Sequence, residues 1–74
     1  MSSREPVQLL AANVRRLRAE RGLTQEQIAN AAGLALSDVG RIERGERDPG
    51  VRVLAKLAHG LGVEVEDLVR RQPD

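Results

Sequence analysis

Cysteine, phenylalanine, tyrosine and tryptophan are all absent from these 74 residues, and methionine and histidine occur once each. The lack of cysteine excludes disulfide staples and thiolate metal sites. One histidine, His59, cannot build a histidine-based metal cluster, and only scattered carboxylates remain beside it. No stretch approaches the ~18 apolar residues of a membrane span. The apolar run from Val7 to Val14 is too interrupted, by Gln8 and Asn13, to be a signal-peptide core. The seven glycines form no phosphate-cradling loop, and His59 has no nucleophile partner, so it reads as a surface residue of a helix. These absences lead to expectations of no catalytic site, no metal, no cofactor, no small-molecule ligand and no membrane contact. The expected location is cytoplasmic.

What is present is aliphatic: 20 Ile, Leu and Val residues and 9 Ala. That length and composition allow one small core and no second domain, so the reading is a single domain over residues 1–74 with tails at 1–5 and 72–74. The Met start and polar end lead to the expectation of a complete small protein, with a trimmed domain as the alternative that would look the same. A core this small gains from a partner subunit, which makes a self-association surface an expectation. Charge is nearly balanced, 12 basic against 11 acidic residues, for a net +1 and pI ≈ 8.5. The balance hides a bias, because 11 of the 12 cations are Arg, the side chain suited to bidentate phosphate, carboxylate and guanine contacts. Residues 15–47 hold seven Arg against five acids, whereas 51–74 hold four of each sign. Any basic face therefore lies in the first two thirds.

Hydrophobic spacing predicts five short helices and no strand, an all-α bundle. Pro6 suits a first helical turn, Val7, Leu10, Val14 and Leu17 follow at helical spacing, and Gly22 ends the segment. Thr24-Gln25-Glu26-Gln27 fits a capping box, with Thr24 at the cap of a second helix that turns Ile28, Ala29 and Ala32 inward and closes at Gly33. A third helix places Val39 and Ile42 inward, with Ser37, Gly40, Arg41 and Arg44 opposite, and stops at Gly45. Turn residues 46–50 lead to a fourth helix carrying Val51, Leu54, Leu57, Ala58 and Leu61, ending at Gly62. The fifth runs from Val65 to about Arg71, with Leu68 and one of Val65 or Val69 inward, and Pro73 marks a frayed tail. The second and third helices are each under three turns and are joined by three or four residues around a glycine. Such a pair crosses steeply, as in a helix-turn-helix, here over about 24–45.

With these motifs in order, the chain resembles the Cro/lambda-repressor-type, or XRE-like, helix-turn-helix family. The likeness runs from about Val14 to Val69 and includes Gly22-Leu23-Thr24-Gln25, Ile28-Ala29, Ala32-Gly33, Val39 through Gly45, Asp48-Pro49, Leu57-Ala58, Leu61-Gly62-Val63 and Asp67-Leu68. The resemblance implies a five-helix DNA-binding domain with the third helix in the major groove. It also implies a structural ion pair between Arg18 and Glu43. The run Val39-Gly40-Arg41 ahead of Glu43-Arg44-Gly45 is similar to that of restriction-modification controllers. Family members commonly cap the third helix with Ser or Thr where this chain has Ala35, which leaves the start of that helix open.

Each candidate contact has a plainer reading beside it. Arg41 can grip guanine O6 and N7 or lie solvated on the surface. Ser37 can donate to a base edge or cap locally. Leu36 can touch a thymine methyl or fill the edge of the core. Gly40, costly in a helix by about 1 kcal/mol, suits close backbone approach to DNA or is merely tolerated. Asp38 complements the helix dipole or accepts from cytosine N4. Thr24, Gln25, Arg44 and Arg47 are the candidate phosphate contacts, Gln25 because it opens a helix whose amides favour an anion. Val53, Val63, Val65 and Val69 are the candidate dimer contacts, as apolar residues left over from the core.

The function expected from all this is a sequence-specific, double-stranded-DNA-binding transcription regulator, a homodimer on a pseudo-palindromic operator and so associated with the nucleoid. Dimer symmetry would set two recognition helices about 34 Å apart. The rival expectation is a protein-interaction module of the same fold that binds a subunit of the transcription machinery, which the modest net charge favours.

Overall fold

The computed structural model describes residues 5–71. The expected tail at residues 1–4 and the frayed end with Pro73 lie outside them, while Glu5 is already helical. Five helices follow in order: α1 (Glu5–Glu20), α2 (Gln25–Ala32), α3 (Leu36–Glu43), α4 (Val51–Leu61) and α5 (Val65–Val69). Among the described residues there is no strand. No helix among them is long and apolar enough to cross a membrane.

Helical periodicity becomes packing in a direct way. Leu10, Val14 and Leu17 of α1 meet Ile28 and Ala29 of α2, Val39 and Ile42 of α3, Leu57, Ala58 and Leu61 of α4, and Leu68 of α5 in one aliphatic cluster. The long α1 packs on α3 and α5, and α2 packs on α3 and α4. Close approach between α2 and α4 depends on Gly60. A Cβ there would lie 2.9 Å from Ala32 Cβ and 3.1 Å from both the Ala32 amide nitrogen and the Ile28 carbonyl oxygen. Small residues on both sides let the two backbones come together.

Two turns fix the helix-turn-helix. Thr24 Oγ1 accepts the Gln27 amide at 3.0 Å while Gln27 Oε1 accepts the Thr24 amide at 2.8 Å, a complete capping box that starts α2. Gly33, at φ 70°, ends it, and the Leu34 amide reaches back to the Ala29 carbonyl at 2.9 Å. Only a residue at ease in the left-handed region closes a helix this way, so the chain turns within three residues into α3. Ala35 stands at the cap of α3 without a side-chain hydrogen bond.

Several expectations are corrected here. Val51 is 79% exposed rather than part of the core, because it occupies the first turn of α4, beyond the reach of neighbouring helices. Val53, Val63 and Val65 are not left over: they pack against the core cluster. The fifth helix stops at Val69, two residues before Arg71.

Candidate nucleic-acid interface

The inner flank of α3 is held by more than apolar burial. Glu43, in its last turn, is buried, and its carboxylate accepts two hydrogen bonds from Arg18 of α1, from Nε at 2.7 Å and Nη2 at 3.0 Å. This bidentate geometry is the strong form of an arginine–carboxylate contact. Arg18 Nη1 also donates to the Leu23 carbonyl at 3.1 Å, which ties the pair to the loop before α2. Arg15, three residues earlier on α1, donates from Nη1 to the Glu43 backbone carbonyl. Helix α1 thus grips the end of α3 at both side chain and backbone.

The outer flank is different. Leu36, Ser37 and Arg41 are exposed, and none of the ion pairs among the described residues includes Arg41. Leu36, 48% exposed, does not fill the core edge. Gly40 departs from expectation, because it is buried rather than open. The Arg44 guanidinium lies over it, and a Cβ there would meet Arg44 Nη1 at 3.0 Å. That neighbour is the tip of a flexible side chain, which can shift to admit an added methyl group.

The candidate phosphate contacts are not free cations. Arg44 Nε lies 3.1 Å from Glu46 Oε1, and Arg47 Nη1 lies 2.6 Å from Asp38 Oδ1. Asp38 is thus neither merely a dipole-complementing residue nor an open acceptor. At the start of α2, Gln25 is half-buried and Thr24 exposed. The Thr24 oxygen is engaged in the cap, but its hydroxyl hydrogen remains available to donate. The first amides of α2, at Gln25 and Glu26, have no acceptor inside the helix, which is the arrangement that suits an anion. His59 is exposed on α4, as its sequence context implied.

Two structural residues escaped the sequence reading. Asn13 is 1% exposed, and its Nδ2 donates to the Leu68 and Arg70 carbonyls, both at 2.9 Å, closing the end of α5 onto α1. Its position between Leu10 and Leu17, at helical spacing, marks it as inward-facing. Arg15 sits one turn before Arg18 on the same helix, so a second contact to α3 was legible from that spacing. The Asp38–Arg47 pair had no such signal.

Five helices with a capped second helix, a three-residue turn and a pinned third helix define a helix-turn-helix protein. The helix-turn-helix family profile HTH_3 matches residues 14–68, and the chain belongs to that family of DNA-binding transcription regulators. An uncharacterized HTH-type transcriptional regulator of Sinorhizobium fredii, y4dJ, is 43% identical over 61 residues, 82% of this chain and 79% of that protein. The control protein C.SmaI of Serratia marcescens is 40% identical over 65 residues, 88% of this chain and 77% of the other. The crystal structure of the restriction-modification controller C.AhdI from Aeromonas hydrophila superposes with a TM-score of 0.80 at 37% identity, covering 84% of this chain and 94% of that one. These relatives are regulators rather than enzymes.

Proposed function

We propose that this protein is a sequence-specific regulator that lays α3 in the major groove of duplex DNA. The observation that carries the reading is the contrast across α3: Glu43 is buried and doubly held, while Ser37 and Arg41 are exposed. A firmly seated helix whose outer arginine pairs with no carboxylate among the described residues suits bidentate readout of guanine, with Ser37 and Leu36 touching neighbouring base edges. Gln25 and Thr24, at the start of α2, contact one phosphate, and Arg44 and Arg47, beyond α3, contact others once their intramolecular partners yield. Backbone approach at Gly40 follows displacement of Arg44.

The protein works as a homodimer on a pseudo-palindromic site, since one short helix reads too few base pairs to be selective alone. Of the four valines expected at the dimer contact, Val69 alone has an exposed side chain, at 47%, and it is the position to test. Similarity to two controller proteins supports a compact regulator of that kind. Its proposed place of action is the cytoplasm, on the nucleoid.

Duplex binding measured across a salt series tests the reading. Affinity should fall steeply as salt rises, with a log–log slope of about −0.9 per phosphate neutralised. Negligible duplex affinity at low salt would favour the protein-binding module instead.

A further inference from the structure

Arg47 lies four residues beyond the end of α3, yet its guanidinium is joined to the carboxylate of Asp38 in the first turn of the same helix. The pair therefore folds the following loop back along α3 and places an anion on the helix proposed to enter the groove. Both side chains are only about one third exposed, Arg47 at 33% and Asp38 at 29%. The Arg44–Glu46 pair is more open, at 57% and 55%.

A carboxylate entering a groove lined by phosphates is repelled unless it keeps a cation or finds a hydrogen-bond donor. Releasing Arg47 to a phosphate removes the cation. The major groove offers replacement donors only at certain bases, the exocyclic amino groups of cytosine and adenine. Where such a group faces Asp38, the exchange is complete: Arg47 gains a phosphate and Asp38 gains an N–H donor. Elsewhere one anion is stranded.

We infer that Asp38 is a specificity-determining residue: it holds Arg47 in the free protein and yields it to the DNA backbone only where the groove presents an amino donor in return. The inference rests on the proposed DNA reading and adds to it a reason why a near-neutral domain carries an acid on its reading helix.

The test uses the full chain, a random-sequence duplex, and the best duplex that the wild-type protein selects from a randomised pool. Asp38→Ala should tighten binding to the random duplex roughly two- to fivefold, the range expected for freeing a surface-paired cation. Binding to the selected duplex should not tighten, so the ratio between the two falls. The gain should vanish in an Arg47→Ala background. A pool reselected with Asp38→Ala should lose a cytosine or adenine preference at one position per half-site. Equal tightening on both duplexes, weaker binding to the random duplex, or a gain that persists without Arg47 would overturn the inference. If the alanine variant does not fold, Asp38→Asn serves the two-duplex comparison and its Arg47→Ala control, because it removes the charge that holds Arg47, while Asp38→Val, which removes the acceptor as well, serves the reselection. Failure of the wild-type chain to bind either duplex would overturn the DNA reading along with it.

Discussion

Glu43 and Arg41 stand two residues apart on one eight-residue helix, yet α1 holds the first at its carboxylate and its carbonyl, while no carboxylate among the described residues pairs with the second. An isolated helix of this length does not persist in water. Its shape and direction must come from tertiary contacts, and the inner flank supplies them: Val39 and Ile42 are fully buried, and Arg18 and Arg15 lock the C-terminal turn. The outer flank is then free to carry side chains that do nothing for the fold. Division of labour along a single short helix is what allows a chain this small to hold a surface ready for another molecule.

The contrast can be broken from either side, and the inner side should respond most. Arg18→Ala strands a buried carboxylate and should cost about 3–5 kcal/mol in urea unfolding at fixed protein concentration. A loss under about 1 kcal/mol would mean that Glu43 finds water or another partner, and that α3 is seated by apolar contacts alone. Next comes Gly60→Ala, expected to destabilise by about 1–3 kcal/mol, because the added methyl meets backbone atoms of α2 that cannot move aside. Asn13→Ala should cost a similar amount, about 1–3 kcal/mol, by leaving the buried carbonyl at the end of α5 unpaired; amide exchange should show α5 opening first.

On the outer side the sign changes. Gly40→Ala places its methyl against a mobile guanidinium and should stabilise the fold by up to about 1 kcal/mol through helix propensity, while weakening duplex binding. Stabilisation without loss of binding would show that the backbone at Gly40 does not approach DNA. Arg41→Ala should leave the unfolding free energy within about 0.5 kcal/mol of wild type, as expected for an exposed side chain that no ion pair among the described residues includes.

Periodicity and punctuation made most of this architecture legible. Leu10, Val14, Leu17, Ile28, Ala29, Val39, Ile42, Leu57, Ala58, Leu61 and Leu68 all carry the helical spacing of a buried stripe, and all lie in the core cluster. The same rule misplaces Val51, which continues the stripe of α4 into its first turn, where nothing packs across from it. Val53, Val63 and Val65 show the opposite limit, since surplus apolar residues are absorbed or exposed according to how the last two helices dock, and no local pattern encodes that. Asn13 sits at an inward position but is the wrong residue type for an apolar count. For the candidate interface, the exposure of Ser37 and Arg41 followed from their place opposite Val39 and Ile42. The burial of Gly40 did not, and neither did the Arg44 guanidinium that an added Cβ there would meet, a contact set by a side-chain conformation that spacing does not encode. The Asp38–Arg47 contact joins residues on either side of a helix end, at a separation that neither helical spacing nor capping rules describe.

Comparing the sequences that wild-type and Arg41→Ala proteins select from one pool of randomised duplexes puts the role of α3 under the most direct examination. A folded Arg41→Ala protein should still bind, but with a guanine preference erased at one or two positions of each half-site and the remaining positions unchanged, a loss of about 1–3 kcal/mol of discrimination at each. An unaltered selection profile would contradict the account, because the exposed arginine on the seated helix would then not be reading bases.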